Sequence, residues 1–201
     1  QTGLRKLGRL PVNARDETLL YALLIGTIPA VLLGLSLESI MESTFRSPLL
    51  VALVLVAGSL LFMYAEWRYQ NEPRLNEMTV RKGLKIGFFQ SLALIPGMSR
   101  SGATIVGGML LGLSRAEAAR FAFLLALPVI TGAGLKKFLD LLTGDEVIVW
   151  SHLVVGAGVA FVSSVIAIHF MLSFVRRHTL WPFIWYNVIL AALVGYVAMI
   201  S

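Results

Sequence analysis

The 201-residue chain is 57% hydrophobic and only 14% charged, with a mean hydropathy of +0.81. A soluble domain carries about 25% charge, so this composition indicates an integral membrane protein. The absence of cysteine excludes a disulfide framework, thiolate chemistry and a cysteine-ligated metal, and a net charge of +6 in such a chain points to basic cytoplasmic loops and anionic headgroups, not to nucleic acid.

In chain order, the first predicted membrane helix is "LLYALLIGTIPAVLLGLSL" (19–37) and the second is "SPLLVALVLVAGSLLFMYA" (47–65). Each is close to the roughly 20 apolar residues that a span needs. The next apolar stretch, 86–114, is interrupted at its centre by Arg100. Each half has 14 residues, about 21 Å as helix, which falls short of a hydrocarbon core of roughly 30 Å. The stretch is therefore either one long span with a central arginine or a hairpin that enters and leaves on one side. A shorter run, "FAFLLALPVITGAGL" (121–135), becomes long enough if Arg120, Lys136 and Lys137 snorkel at its ends. Two more spans follow, "VIVWSHLVVGAGVAFVSSVIAI" (147–168) and "TLWPFIWYNVILAALVGYVAMIS" (179–201). Pro29 and Pro128 lie inside spans and are tolerable within a bundle.

Basic residues discriminate between the two readings of 86–114. With a hairpin, Arg5, Lys6, Arg9, Arg15, Arg68, Arg74, Arg81, Lys82, Lys85, Arg115, Arg120, Arg176 and Arg177 share the inside, and only Arg46, Lys136 and Lys137 lie outside. A single span puts Arg115, Arg120, Arg176 and Arg177 outside and Lys136 and Lys137 inside, 11 against five in place of 13 against three, so the positive-inside rule favours the hairpin. Pro96-Gly97 at its tip is a strong turn signal. The expected architecture is an all-α integral membrane protein, one polytopic domain over 1–201. It has five spans plus a re-entrant hairpin at 84–114, its N-terminus cytoplasmic and its C-terminus outside.

The hairpin tip "PGMSRSGAT" (96–104) has the chemistry of an oxyanion cradle. Arg100 cannot discharge, is costly in lipid and offers a planar fork suited to two phosphate oxygens. Ser99, Ser101 and Thr104 add hydroxyls. The second half-helix, expected to start near Ser101, points free N–H groups and its positive dipole end at the tip. Gly97 and Gly102 permit close approach of backbone to a ligand. Against this stands the plainer reading that Arg100 pairs with a buried carboxylate or caps a helix carbonyl, although the hairpin holds no Asp or Glu.

The tip resembles the P-G-x-S-R-S-x-x-T signature of the undecaprenyl-diphosphate phosphatase family, integral membrane proteins also linked to bacitracin resistance. The resemblance extends over "GFFQSLALIPGMSRSGATIVGGMLLGLSRAEAARFAFLLALP" (87–128) and "GTIPAVLLGL" (26–35). It implies an inverted-repeat fold of six spans and two re-entrant hairpins, with the site at the midplane between halves. It implies hydrolysis of the terminal phosphate of a polyprenyl diphosphate in the bacterial inner membrane, recycling the lipid carrier of cell-wall synthesis. On the family pattern Arg100 is the phosphate ligand, with Ser99 and Thr104 at the same site. Ser101, Gly97, Gly102 and, in the first half-helix, Gln90 are candidate substrate-binding residues. The family's earlier motif, two glutamates followed by Ser-Ser-Thr-Gly-His, has no match here. The resemblance therefore implies that one hairpin and one span lie upstream of Gln1, carrying the ligands of a divalent cation, Mg²⁺ or Ca²⁺. No metal ligand is assigned in this chain. The expected partners are the polyprenyl diphosphate and membrane lipids, with a homodimer left open. The competing class is a polyprenyl-phosphate transporter or flippase with an anion-binding re-entrant loop, since half-helices at midplane are transporter architecture too.

The other polar residues read more plainly. His152, His169 and His178 fall at or near span ends, where interfacial contact is the ordinary role. Glu66, beside Trp67, reads as an interface residue, and Asp145 and Glu146 read as solvated charge. Trp181, Trp185 and Tyr186 read as an aromatic belt. Gly156, Gly158 and the Gly107-Gly108 pair read as sites of close helix packing.

Overall fold

A computed structural model describes residues 14–43, 47–71, 77–144 and 149–200. Arg5, Lys6, Arg9, Arg46, Arg74, Asp145 and Glu146 lie outside the described residues. Seven α-helices follow one another: α1 (Ala14–Ser43), α2 (Pro48–Asn71), α3 (Val80–Ser91), α4 (Arg100–Leu110), α5 (Arg115–Thr143), α6 (Trp150–Arg177) and α7 (Trp181–Ile200). Among the described residues, α1, α2, α5, α6 and α7 are long and apolar enough to cross a membrane. Their outward faces carry Leu20, Leu24, Leu53, Phe161, Val165 and Ile189, an apolar surface suited to lipid.

Helices α3 and α4 have 12 and 11 residues, about 18 and 16 Å long, so neither can cross alone. They fold back on each other. A Cβ on Gly107 of α4 would lie 2.6 Å from the Phe89 ring of α3, a contact that one continuous helix forbids for residues so far apart in sequence. The turn between them is a single 3-10 turn (Leu92–Leu94) followed by Pro96 and Gly97, the glycine at φ +96°. Only glycine takes that backbone without strain.

Both ends of this hairpin lie at one end of the molecule. Arg15 and Asp16 of α1, Met78 before α3, and Leu113, Glu117 and Arg120 after α4 line one small cleft. The end of α2 and the start of α7 join them, because Glu66 bonds to Arg115 and to the Leu180 N–H. The described basic residues Arg15, Arg115, Arg120, Arg176 and Arg177 thus gather at that end. Lys136 and Lys137 sit well along α5 toward the other.

Local chemistry sets the helix boundaries here. Thr79 caps α3 through the Lys82 N–H (3.2 Å), and Ser114 caps α5 through the Glu117 N–H (3.2 Å), the latter with the Ser-x-x-Glu spacing of a capping box. Helix α4 ends in a left-handed Gly112 (φ +88°), with Leu113 N–H donating to Gly108 O and Gly112 N–H to Met109 O, both at 3.0 Å. That pattern is a Schellman close. Helix α5 consequently starts at Arg115, ahead of the apolar run at 121–135, and takes its charged flanks into the helix.

The core forms around α4, whose residues Gly102 through Met109 are all buried. Phe89 packs on Gly107, Ala118 of α5 on Gly108, and Phe62 of α2 on Gly102. Helices α1 and α3 cross at backbone contact, with Ala22 and Gly26 facing Gly83 and Gly87; a Cβ on Gly26 would lie 2.7 Å from Gly83 O. This is small-xxx-small packing on both helices. The expected pair Gly156 and Gly158 does not do this, since neither has a neighbour within 4 Å among the described residues. Only Val175 of α6 is buried, so α6 is the outermost helix.

Candidate functional site

The site builds outward from the α4 N-terminus. Ser99 is the cap: its Oγ accepts from the Gly102 N–H (3.2 Å), its carbonyl from the Ala103 N–H (2.8 Å), and its Oγ lies 3.4 Å from the Ser101 Oγ. The N–H groups of Arg100 and Ser101 precede the first intrahelical bond and remain available to an acceptor. Arg100, the first helical residue, is exposed, and its side chain has no hydrogen bond or ion pair among the described residues. A buried carboxylate partner for Arg100 is thus not found among them.

Arg100 and Ser101 open onto a cavity of about 710 Å³. Its remaining walls are apolar: Ala93 and Met98 from the hairpin, Phe123, Ala126 and Ile130 from α5, Ala167, Ile168 and Met171 from α6, and Phe183 from α7. Ser164 is the other hydroxyl on the wall. One cation beside the Ser101 hydroxyl, with a largely apolar chamber behind them, is the polarity of an anionic headgroup on a hydrocarbon tail.

Helix α2 packs against the other side of the hairpin tip, away from the cavity. A Cβ on Gly97 would lie 2.8 Å from Val51 O, one on Gly58 would lie 3.5 Å from the Met98 sulfur, and one on Gly102 would lie 2.6 Å from the Phe62 ring. A side chain at Gly97 or Gly102 would therefore collide with α2, which by itself demands glycine at both positions. Arg100 is bracketed by the contacts at Gly58 and Phe62, which places it level with the middle of α2.

Two candidate residues sit deeper than the tip. Thr104 is 1% exposed, and its Oγ1 donates to Arg100 O at 2.7 Å. It braces the first turn. Gln90 is 2% exposed, and neither its amide oxygen nor its nitrogen has a hydrogen-bond partner among the described residues. A buried amide left unpaired on both atoms is rare and costly.

Glu66 corrects the sequence reading. It is not an interface residue but is 1% exposed and held by Arg115 in a two-pronged ion pair. Sequence reasoning had no access to a partner 49 residues away. The three histidines are exposed, and the His178 ring stacks on Phe174 with centroids 4.5 Å apart, a packing role at the end of α6. Among the described residues, no three His, Asp or Glu side chains come together in a way that could hold a metal ion.

The chain is similar to curated proteins named undecaprenyl-diphosphatase. It is 41% identical to the one from Alteromonas mediterranea over 180 residues, covering 90% of this chain and 68% of that protein. It is 41% identical to the one from Nitrosococcus oceani over 181 residues, covering 90% of this chain and 68% of the relative. Over 193 residues it is 41% identical to the one from Trichlorobacter lovleyi, covering 95% and 70%. The family model described as bacitracin resistance protein BacA matches residues 3–193, and the chain belongs to that family.

Proposed function

We propose that this protein is a membrane phosphatase that hydrolyses undecaprenyl diphosphate to undecaprenyl phosphate and inorganic phosphate. The observation that carries the reading is Arg100: a guanidinium unpaired among the described residues, at the open first turn of a half-helix, facing a largely apolar cavity. Water attacks the terminal phosphorus, the bridging P–O bond breaks, and the monophosphate keeps the bridging oxygen. Negative charge builds on the oxygens in transit, and positioned cations and dipoles stabilise it. Arg100 and the free N–H groups of the first α4 turn supply that stabilisation. Ser99 and Ser101 orient the terminal phosphate, and Thr104 holds the Arg100 carbonyl so that the turn keeps its shape. The polyprenyl tail leaves through the cavity between α5, α6 and α7. Hairpin α3–α4 re-enters the membrane, with the basic end of the molecule cytoplasmic in the bacterial inner membrane.

A divalent cation would add Lewis-acid stabilisation. The described residues do not supply a site for one, because the buried carboxylate Glu66 is taken by Arg115 and no acidic cluster forms. No step is assigned to it. A transporter or flippase finds no support in relatives named for hydrolysis.

The test is phosphate release from polyprenyl diphosphate in detergent. Wild-type protein should release phosphate, and Arg100→Ala should not. Lipid movement across vesicles without phosphate release would overturn the proposal in favour of transport.

A further inference from the structure

Glu66 and Arg115 join three parts of the fold. Glu66 Oε1 accepts from Arg115 Nε (2.8 Å) and from the Leu180 N–H (2.8 Å), and Oε2 pairs with a terminal guanidinium nitrogen of Arg115. The guanidinium lies 3.9 Å over the centre of the Tyr69 ring. Neither residue lines the Arg100 cavity.

The contacts of the hairpin with α2 keep one register. Gly97 meets Val51 and Val54, Met98 meets Gly58, Gly102 meets Phe62, and Arg115 meets Glu66. The first three are contacts of shape, which permit small slides along the helix. The fourth is directional, because a forked cation on a carboxylate has one good geometry. Little in the chain can absorb a shift between Arg115 and Arg100. Helix α4 is continuous, Gly112 closes it with two backbone bonds, and Ser114 caps α5 at once.

We propose that Glu66 and Arg115 are positioning residues: their ion pair fixes how far α4 slides along α2, and so where Arg100 meets the phosphate. This rests on the phosphatase reading. A misplacement of about 1 Å in such a site costs about 100-fold in rate.

The chain has no cysteine, so engineered pairs report register cleanly. The pair Gly58→Cys/Met98→Cys reads the seating of the tip on α2. The pair Ala52→Cys/Gly195→Cys, whose Cβ positions are 3.8 Å apart, reads α2–α7 packing away from the clamp. In a Glu66→Ala background the first cross-link should weaken while the second persists. Turnover should fall about 100-fold, with KM changing less. The exchange Glu66→Arg/Arg115→Glu should recover part of the first cross-link and of the turnover, since an arginine at 66 restores the ion pair but cannot accept from the Leu180 N–H. An unchanged first cross-link overturns the proposal, and so does loss of both cross-links together, which would make the pair a general support of the bundle. Wild-type protein that releases no phosphate would sink the phosphatase reading instead, leaving the cross-linking result to stand by itself.

Discussion

Replacing Arg100 separates charge from geometry. The side chain is exposed into the cavity and makes no described hydrogen bond or ion pair, so its truncation opens no packing defect and leaves no orphaned partner. Thermal stability should therefore hardly move, and the whole effect should fall on catalysis. Loss of one donor to a developing oxyanion costs about 100- to 1,000-fold in turnover, or roughly 2.7–4 kcal/mol. Arg100→Ala removes a fork able to give two such bonds, so a loss of about 1,000-fold or more is expected. Arg100→Lys keeps the charge and loses the fork; it should recover little of this. The assay is steady-state phosphate release from polyprenyl diphosphate in detergent, beside a melting curve for each variant. Near wild-type turnover in Arg100→Lys would show that charge alone suffices. An active Arg100→Ala would remove Arg100 from the reaction altogether.

Three further outcomes follow from the structure. Gly26→Ala places a Cβ 2.7 Å from Gly83 O and 3.1 Å from a Leu125 methyl, and should cost about 1–3 kcal/mol in a detergent melt. Gly156→Ala meets nothing within 4 Å and should be neutral or stabilising, and equal effects would contradict the α1–α3 crossing. Gln90→Leu removes two buried atoms unpaired among the described residues, so it should leave stability level or raise it while lowering turnover; unchanged turnover would exclude Gln90 from the site. Cysteines at the exposed positions Arg81 and Arg120, before and after the hairpin, should react with a membrane-impermeant thiol reagent from the same side. Labelling from opposite sides would make 86–114 a single crossing.

The spans were legible because hydropathy over about 20 residues is a strong signal, and the turn at Pro96-Gly97 because few other dipeptides break an apolar run so firmly. The charge chemistry of the tip was equally readable, since Arg100 is alone in an uncharged stretch. Helix packing was less so. Gly83 and Gly87 meet α1 at backbone contact, whereas Gly156 and Gly158, closely spaced in an apolar helix, meet none of the described residues. Spacing states that a helix could approach there, not that one does. Glu66 was misread for a related reason. A carboxylate near the end of an apolar helix looks the same in sequence whether it faces headgroups or an arginine from a distant helix. Only the fold decides, by bringing Arg115 to it.

Helix α2 links these observations. Its small and shaped positions, Val51, Val54, Gly58 and Phe62, receive the tip, and its buried Glu66 holds the base of the same hairpin. The guanidinium that would hold phosphate therefore sits on a short helix fixed at both ends to one long helix. On the cavity side α5 packs on the far half of α4 through Ala118, whereas α6 stands off and buries only Val175. A site made this way can present a rigid cation to a headgroup while leaving the opposite wall free to admit a long and flexible tail. The division matches the chemistry: phosphoryl transfer demands fixed donors, whereas a hydrocarbon chain demands only apolar area. It also explains why the tip turns Gly97 and Gly102 to α2 and Arg100 and Ser101 to the cavity. A substitution that enlarges Gly102, where a Cβ would lie 2.6 Å from the Phe62 ring, should then disturb catalysis by moving Arg100.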